Sequence, residues 1–270
     1  MTVDTAWIFD IDGVVTNPTK KKVKKLQILD HIAKRLQQGE PVIFNTGRSL
    51  PWTIDRVINQ LLERVNDKRV LENLFAAGEK GGTWLTFGQD GKIQQHKDGS
   101  ISIPSSLQQK IKDLIEQRYS HSMFYDETKQ TMISIEMHDN YDLKKYKKDQ
   151  EFLKNELKNL LREYDPKKRL KLDPTTIAID IEDKHVGKGF ALERILNWLK
   201  QKKTKPKKFT AIGDSKGDIK MAEKLHEKKL PFEFIFVGSK SELRGIKSNF
   251  PATYTQKRFD EGTLEYLNSI

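Results

Sequence analysis

A run of large apolar residues that ends in two acids is the feature that most constrains how this chain can fold. Trp7-Ile8-Phe9 is rich in strand formers and leads directly into Asp10-Ile11-Asp12-Gly13. The Asp-Gly pair indicates a turn, so both acids follow the end of a buried strand. In α/β proteins, the carboxyl ends of parallel strands form the edge at which ligands bind. The segment therefore predicts an α/β fold with two carboxylates at its functional edge.

These two carboxylates also favour a bound cation. Like charges one residue apart repel each other, and a cation between them relieves the repulsion. Hard oxygen ligands of this kind suit Mg²⁺. A calcium-binding loop fits less well, because Gly13 directly follows Asp12 and no glutamate closes such a loop. The purely structural alternative is a strand followed by an ordinary polar turn, and the rest of the chain must decide between the two.

The order of predicted elements indicates a core with an insert. Strand, helix and strand alternate at the start, which implies right-handed parallel crossovers. From residue 83 the pattern changes to a hairpin around Asp90-Gly91 and then to mixed helices and strands, which indicates an α+β segment. Parallel α/β character resumes at Gly187. We therefore expect a Rossmann-like parallel-sheet core from residues 1–82 and 187–270, and an inserted domain at residues 83–186.

Composition narrows the class of protein. The chain has 270 residues, of which 36% are hydrophobic and 32% charged, as in soluble proteins with a core. It has no cysteine, which excludes disulfides and thiol chemistry. No apolar run reaches membrane-spanning length, and the first residues lack the basic start and apolar core of a signal peptide. We expect a cytoplasmic protein that does not bind a membrane.

The formal net charge of +11 suggests an anionic partner: a phosphate ester, nucleic acid or acidic lipid. The lysines occur in short runs along the whole chain, and aromatic residues do not alternate with them as a surface for single-stranded nucleic acid requires. Most of them therefore fit solvated helix faces. Nucleic acid is an unlikely partner by this argument, and a small phosphorylated metabolite is the partner we expect.

Other strand and helix ends carry polar groups that complement the first two acids. Thr46 follows the second predicted strand, Lys188 begins a helix, and Asp214 and Asp218 follow a later strand. Each also has a structural interpretation: a turn hydroxyl, a surface lysine, a turn acid and a helix N-cap. Together, two acid pairs, a hydroxyl and a lysine have the chemical character of a phosphoryl-transfer site.

This set resembles the haloacid dehalogenase superfamily, and the resemblance extends over nearly the full chain. Residues 10–14 resemble its first motif, Thr46-Gly47-Arg48 its second, Lys188 its third and residues 213–218 its fourth. The insert resembles the C2B-type cap of Cof-type, trehalose-phosphate and sucrose-phosphate phosphatases, mannosyl-3-phosphoglycerate phosphatase and eukaryotic-type phosphomannomutase. One departure is Gly217, where many relatives carry asparagine. It leaves the subfamily open.

The resemblance implies a role for each motif residue. Asp10 would be the nucleophile that forms an aspartyl-phosphate, and Asp12 would act as general acid and then base. Thr46, Gly47 and Lys188 would hold the phosphoryl oxygens. The implied Mg²⁺ site comprises the carboxylates of Asp10 and Asp214, the backbone carbonyl of Asp12, and Asp218, which would orient a metal-bound water or Lys188.

Three further residues are candidates for substrate binding. Arg48 belongs to the second motif, while Lys184 and His185 lie where the chain returns from the insert to the core. The structural alternative for Lys184 and His185 is an exposed linker. Glu79 and Lys80, where the chain leaves the core, are comparable candidates.

The expected function is Mg²⁺-dependent hydrolysis of small phosphate monoesters, in particular sugar phosphates. A sugar phosphomutase is the nearest alternative, because it would share the core and the cap. A polynucleotide phosphatase fits the positive charge but not a large cap. An alternative of another class is a non-catalytic nucleic-acid-binding protein, although the intact acids would repel a phosphate backbone unless metal were bound.

Overall fold

The computed structural model describes residues 1–243 and 249–270, which form two compact units. The core unit comprises Met1–His96 and Gly187–Ile270, and the insert unit comprises Lys97–Val186. The strands are β1 (Thr2–Phe9), β2 (Val42–Asn45), β3 (Leu74–Gly78), β4 (Thr83–Phe87), β5 (Ile93–Lys97), β6 (Met123–Tyr125), β7 (Ile133–Met137), β8 (Leu170–Pro174), β9 (Ala178–Asp183), β10 (Lys205–Gly213), β11 (Phe232–Phe236) and β12 (Ala252–Tyr254).

The α-helices are α1 (Leu26–Gln37), α2 (Leu50–Thr53), α3 (Asn59–Leu62), α4 (Ser105–Leu114), α5 (Leu143–Tyr164), α6 (Lys188–Gln201), α7 (Lys216–Glu227) and α8 (Phe259–Asn268). A π-helical turn, Ile54–Ile58, joins α2 to α3. None of the helices in the described ranges is long and apolar enough to cross a membrane.

An eight-stranded sheet forms the centre of the core unit, in the order β12-β11-β10-β1-β2-β3-β4-β5. The strands from β12 to β3 run parallel, with β1 between β10 and β2. Ile8 packs in the apolar cluster on one face, while Trp7 and Phe9 pack in the cluster on the other. Burial on both faces explains why the first strand is a continuous apolar run. The carboxyl end of β1 therefore lies at the centre of the edge where ligands are expected.

The hairpin at residues 83–97 is where the structure differs from the predicted division of the chain. β4 pairs antiparallel with β3, with Ala77 opposite Trp84 and Gly78 opposite Thr83, so the hairpin extends the core sheet. The first break therefore falls at residue 97 and not at residue 83. The physical reason is the short connection after β3, since it reverses the chain at once and places the next strand alongside.

The insert unit has a four-stranded antiparallel sheet in the order β6-β7-β9-β8. Apolar residues of α4 and α5 share one cluster with alternate residues of β7 and β9, as the 3.6-residue and two-residue periods require. The sequence predicts β7, β9 and both helices. It misses β6, which has only three residues, and β8, in which polar residues and a terminal proline weaken the strand pattern.

Candidate active site

The turn after β1 places Asp10 in the interior and Asp12 near the surface. The Asp10 backbone N–H donates to Ile212 O of β10 at 2.9 Å, which fixes the first acid against the neighbouring strand. The next residues form a tight turn in which the Thr16 hydroxyl and backbone N–H both donate to Ile11 O. Asp10 is 5% exposed, and the Asp12 side chain is 33% exposed. Asp10 and Asp12, which are two positions apart in the sequence, therefore differ in their exposure to solvent.

Gly13 permits the approach of a second acid to this turn. Its φ is +75°, in the region that favours glycine, and a Cβ at this position would lie 1.9 Å from Asp214 Oδ2. The glycine that follows the two acids is therefore needed for both the backbone conformation and the position of the Asp214 carboxylate.

Gly13→Ala should lower both stability and activity. The added methyl group must displace the Asp214 carboxylate while the backbone adopts a strained conformation, at a cost of about 1–3 kcal/mol. Thermal unfolding and initial rates measure the two effects. Gly99→Ala is the matched control, because a Cβ at Gly99 meets nothing within 4 Å. Equal unfolding temperatures for the two variants would contradict the role assigned to Gly13.

The end of β2 supplies a buried amide and a hydroxyl. The Thr46 backbone N–H donates to Ala77 O of β3 at 3.0 Å, and its hydroxyl oxygen accepts the backbone N–H of Arg48 at 3.1 Å. This bond fixes the position of the Thr46 hydroxyl oxygen within the turn. Asn45 is fully buried, and its side-chain amide donates to Lys188 O at 3.0 Å. This contact connects the β2 loop to the first residue of α6.

The loop between β10 and α7 positions two more acids. Asp218 is fully buried, and its Oδ2 accepts the backbone N–H groups of Asp214 and Ser215 and the Ser215 hydroxyl, at 3.2, 3.0 and 2.6 Å. A Cβ on Gly213 would lie 2.2 Å from that of Asp218, so glycine is required where the strand meets the helix. Asp218 therefore closes the first turn of α7 with one oxygen and directs the other, Oδ1, to Lys188.

Lys188 joins the acids into one cluster. Its Nζ lies 2.6 Å from Asp10 Oδ1 and also contacts Asp218 Oδ1. Carboxylate oxygens of Asp10, Asp214 and Asp218 lie within 4.8 Å of one another. The sequence predicts these four residues from separate segments, and the fold brings them together at the carboxyl edge of the sheet.

Burial and like charges shift the pKa values in this cluster. Burial raises the pKa of Asp10 well above its usual value, with Asp218 adding to the effect and Lys188 opposing it. Burial and the neighbouring Asp218 charge raise the pKa of Asp214 to about 7. For Lys188, burial lowers the pKa of the ammonium, but the Asp10 and Asp218 carboxylates outweigh it, so the net shift is upward. Three clustered acids thus share a single lysine as their counter-charge.

This donor set fits a divalent cation. Asp10 and Asp214 present hard oxygen ligands next to each other, and burial together with the neighbouring carboxylates raises their pKa values, which a bound cation would counteract. Gly13 lies directly against Asp214 and leaves no side chain in the space beside the carboxylate. Asp218 is less suited to direct ligation, because Lys188, Ser215 and the backbone already occupy its oxygens.

Arg48 lies on Asp12. Its Nε donates to Asp12 Oδ2 at 2.8 Å and its Nη2 to Asp12 Oδ1 at 3.1 Å, a bidentate ion pair, while the guanidinium carbon lies 4.6 Å from the Trp52 ring centre. Bidentate pairing fixes the orientation of both side chains. Arg48, which the sequence predicts as a substrate-binding residue, therefore orients Asp12, the predicted general acid. Nothing in the sequence indicates this contact.

The connection after β3 has an unusual backbone. Glu79, Lys80 and Gly81 have φ values of 49°, 56° and 100°. The backbone N–H groups of Glu79 and Lys80 donate to Arg48 O and Thr46 O at 2.9 and 2.8 Å, which tie this turn to the β2 loop. A Cβ on Gly47 would lie 3.5 Å from Lys80 Cε, so the Lys80 side chain passes next to Gly47. Strained backbone of this kind often accompanies functional sites.

Lys184 and His185 belong to the insert unit, on the turn after β9. Both are exposed, and the Lys184 backbone N–H donates to Arg169 O. The Asp183 carboxylate accepts the His185 backbone N–H at 2.9 Å and lies 3.0 Å from its Nδ1. These contacts are those of an ordinary turn, and the role of both residues in substrate binding stays a prediction.

Two residues of the site, Asn45 and Ser215, are not assigned a role from the sequence. Asn45 ends an apolar strand with a polar side chain, and that is the signal that identifies it as a positioning residue for Lys188. Ser215 and Asp218 have the spacing of a capping box, which predicts their mutual contact before the structure is known.

No protein-family model matches this sequence, and no curated protein matches it either. Solved structures do match. The C-terminal domain of trehalose-6-phosphate phosphatase from C. albicans has a TM-score of 0.68 at 16% identity, covering 98% of this chain and 92% of that one. A haloacid dehalogenase-like hydrolase from Bacteroides thetaiotaomicron has a TM-score of 0.64 at 14% identity, covering 99% of each chain.

The sucrose-phosphatase from Synechocystis, solved in complex with sucrose and phosphate, has a TM-score of 0.57 at 15% identity and covers 100% of this chain and 98% of that one. At sequence identities this low, the structural similarity shows a shared fold and nothing more specific. The chain has the haloacid dehalogenase fold, and the predicted parallel-sheet core with an α+β insert is confirmed.

Proposed function

We propose that this protein is a Mg²⁺-dependent phosphatase that hydrolyses small phosphate monoesters through an aspartyl-phosphate on Asp10. The cluster in which Lys188 contacts both Asp10 and Asp218, with Asp214 beside them, is the observation that carries the proposal. A carboxylate held between a lysine and further acids suits nucleophilic attack on phosphorus, since the lysine keeps it oriented and partly ionised.

In the first step, an Asp10 carboxylate oxygen attacks phosphorus and the bond to the ester oxygen breaks. Asp12 gives a proton to that leaving oxygen. Lys188, the Thr46 hydroxyl and the Gly47 amide would donate hydrogen bonds to the phosphoryl oxygens and stabilise their negative charge. Lys80, which passes next to Gly47, is a further donor. Bound Mg²⁺, held by Asp10, Asp214 and the Asp12 carbonyl, would offset repulsion between the two anions.

In the second step, water attacks phosphorus, the bond to Asp10 breaks and inorganic phosphate leaves. Asp12 takes the proton from the water, which returns both acids to their starting states. Arg48 affects this cycle, because its bidentate contact occupies both carboxylate oxygens of Asp12. The ion pair must open before Asp12 carries a proton, so Arg48 would move away from Asp12 when substrate binds.

Sugar phosphates are the substrate class we propose. One similar structure is a trehalose-6-phosphate phosphatase, and another is a sucrose-phosphatase in complex with sucrose and phosphate. The insert unit, as a cap, would select the sugar and exclude water from the reacting groups. Lys184 and His185 are the candidates in the insert unit for contacting the polar end of the substrate.

A phosphate-release screen tests the function. The purified protein is incubated with a panel of sugar phosphates and with p-nitrophenyl phosphate, in Mg²⁺ and in EDTA. We expect release of inorganic phosphate in Mg²⁺, its loss in EDTA and its recovery when Mg²⁺ is restored in excess. Conversion between phosphate isomers without release would indicate a mutase. Salt-sensitive binding of DNA or RNA with no Mg²⁺-dependent hydrolysis would overturn the proposal.

A further inference from the structure

A buried arginine in the core unit lacks an anionic partner. Arg35, on α1, is 7% exposed, and its Nε has no hydrogen-bond acceptor within the described residues. Its Nη1 donates to His31 O at 3.2 Å, and its guanidinium carbon lies 4.0 Å from the centre of the Trp7 ring. Buried charges are normally paired, because an unpaired charge loses its hydration without compensation. The Arg35 guanidinium therefore lacks the negatively charged partner that a buried cation normally has.

Neighbouring groups do not meet this requirement. Across residues 1–243 and 249–270, no carboxylate lies within ion-pair distance of Arg35. The nearby Glu40 accepts the indole N–H of Trp7 at 2.8 Å and acts on Arg35 only through space. Burial lowers the pKa of the Arg35 guanidinium, and the Glu40 charge opposes that shift without reversing it.

Arg35 faces a cavity of a size that accommodates a small molecule. The cavity measures about 420 Å³ and is lined by Trp7, Lys34, Arg35, Glu40, Lys208 and Glu233, among others. Binding sites for small ligands typically have volumes of roughly 300–1,000 Å³. Trp7 precedes Asp10 by three residues of one strand, about 10 Å, and none of the clustered acids lines the cavity. The cavity is therefore separate from the candidate active site.

The charges around the cavity favour an anion. Three cationic side chains line it, Lys34, Arg35 and Lys208, against two side-chain carboxylates. Glu40 accepts the Trp7 indole N–H, and Glu233 accepts the hydroxyl groups of Tyr266 and Thr210 and lies 3.5 Å from Lys208. Lys34 makes no ion pair with any described residue. Two of the cationic side chains, Lys34 and Arg35, therefore make no ion pair with a described residue.

We propose that this cavity is a second ligand site, which binds a small oxyanion: the carboxylate or phosphate group of a metabolite. An oxyanion in the cavity pairs with the Arg35 guanidinium and neutralises it, while Lys34 adds a second positive charge to the lining. The proposal does not depend on the proposed catalytic function, since its residues and its ligand are distinct from those of the phosphoryl-transfer site.

Titration of the full-length protein with citrate or inorganic phosphate, at constant ionic strength set with sodium chloride, tests the site. The readout is the NMR resonance of the Trp7 indole N–H, which lies between Arg35 and Glu40 and is assigned by its loss in Trp7→Phe. We expect a saturable shift with at least one anion. Saturation with citrate alone identifies a carboxylate ligand, and saturation with phosphate alone identifies a phosphate ligand.

Arg35→Met should raise the dissociation constant at least tenfold, because the variant keeps the apolar stem and loses every donor. If that variant does not fold, Arg35→Lys keeps the charge and loses the planar guanidinium, and it should weaken binding in the same direction. Arg56→Met is the matched control, since Arg56 is exposed and pairs with its neighbour Asp55. The proposal is overturned if neither anion shifts the Trp7 resonance saturably, or if a folded Arg35 variant responds as the wild type does.

Discussion

Asp10→Asn should abolish turnover while leaving the fold intact. The amide has the shape of the carboxylate and cannot attack phosphorus, so the rate should fall by about 10⁴-fold or more. Its unfolding temperature should not fall below that of the wild type, because Asp10 is buried next to Asp218 and Asp214, and the neutral side chain removes their mutual repulsion. Initial rates with the best substrate of the phosphate-release screen, together with thermal unfolding, measure both effects.

Asp4→Asn is the matched control for Asp10→Asn. Asp4 lies on the same strand, β1, but is exposed and pairs with Lys207. We expect it to keep full activity. Turnover of Asp10→Asn within tenfold of the wild type would refute Asp10 as the nucleophile, and an equal loss in Asp4→Asn would show that the effect is not specific to the site.

Lys188→Met should give the second largest loss of activity, and it should also lower the stability of the fold. Removing the ammonium leaves Asp10 and Asp218 buried without their common counter-charge, and it removes a donor to the phosphoryl oxygens. Donors of this kind contribute about 10²–10³-fold to the rate, so we expect at least that decrease in kcat. Unlike Asp10→Asn, this variant should also unfold at a lower temperature than the wild type.

The expected stabilities of the two variants separate the two roles, because only Lys188→Met should unfold at a lower temperature than the wild type. Lys200→Met, in the exposed last turn of the same helix, controls for loss of a lysine from α6 and should change neither property. A Lys188→Met variant that is as stable as the wild type would mean that Lys188 does not neutralise the acids. A variant with full kcat would mean that it does not contact the phosphoryl group.

Local patterns predict most of the core because they depend on neighbouring residues alone. The two-sided burial of β1 appears in the sequence as a continuous apolar run, and the acids that follow it mark the end of the strand. Thr46, Lys188 and Asp214 are also found at element ends, where short polar segments interrupt apolar ones. Since parallel strands present their carboxyl ends at one edge, these positions predict a common site before any distance is known.

Contacts between distant residues were not predictable in the same way. The bidentate pair between Arg48 and Asp12 and the contact from Asn45 to Lys188 O join segments that no local pattern relates. The pairing of the hairpin with β3 depends on a four-residue reversal whose left-handed residues include Glu79 and Lys80, neither of which is a glycine. The predicted break at residue 83 was wrong for that reason.

The sequence alone determined that this chain forms a parallel α/β core with an α+β insert, and which residue types lie at the ends of its strands. The environment of each of these residues became known only from the tertiary structure. Asp10 is buried against Lys188, Asp12 is bound by Arg48, and the oxygens of Asp218 contact Lys188 and Ser215. The same holds for Arg35, whose place on Trp7 leaves a buried charge without a partner. Hydrophobic periodicity is a property of neighbouring residues, whereas burial, charge pairing and pKa depend on which distant groups the fold brings within a few ångströms.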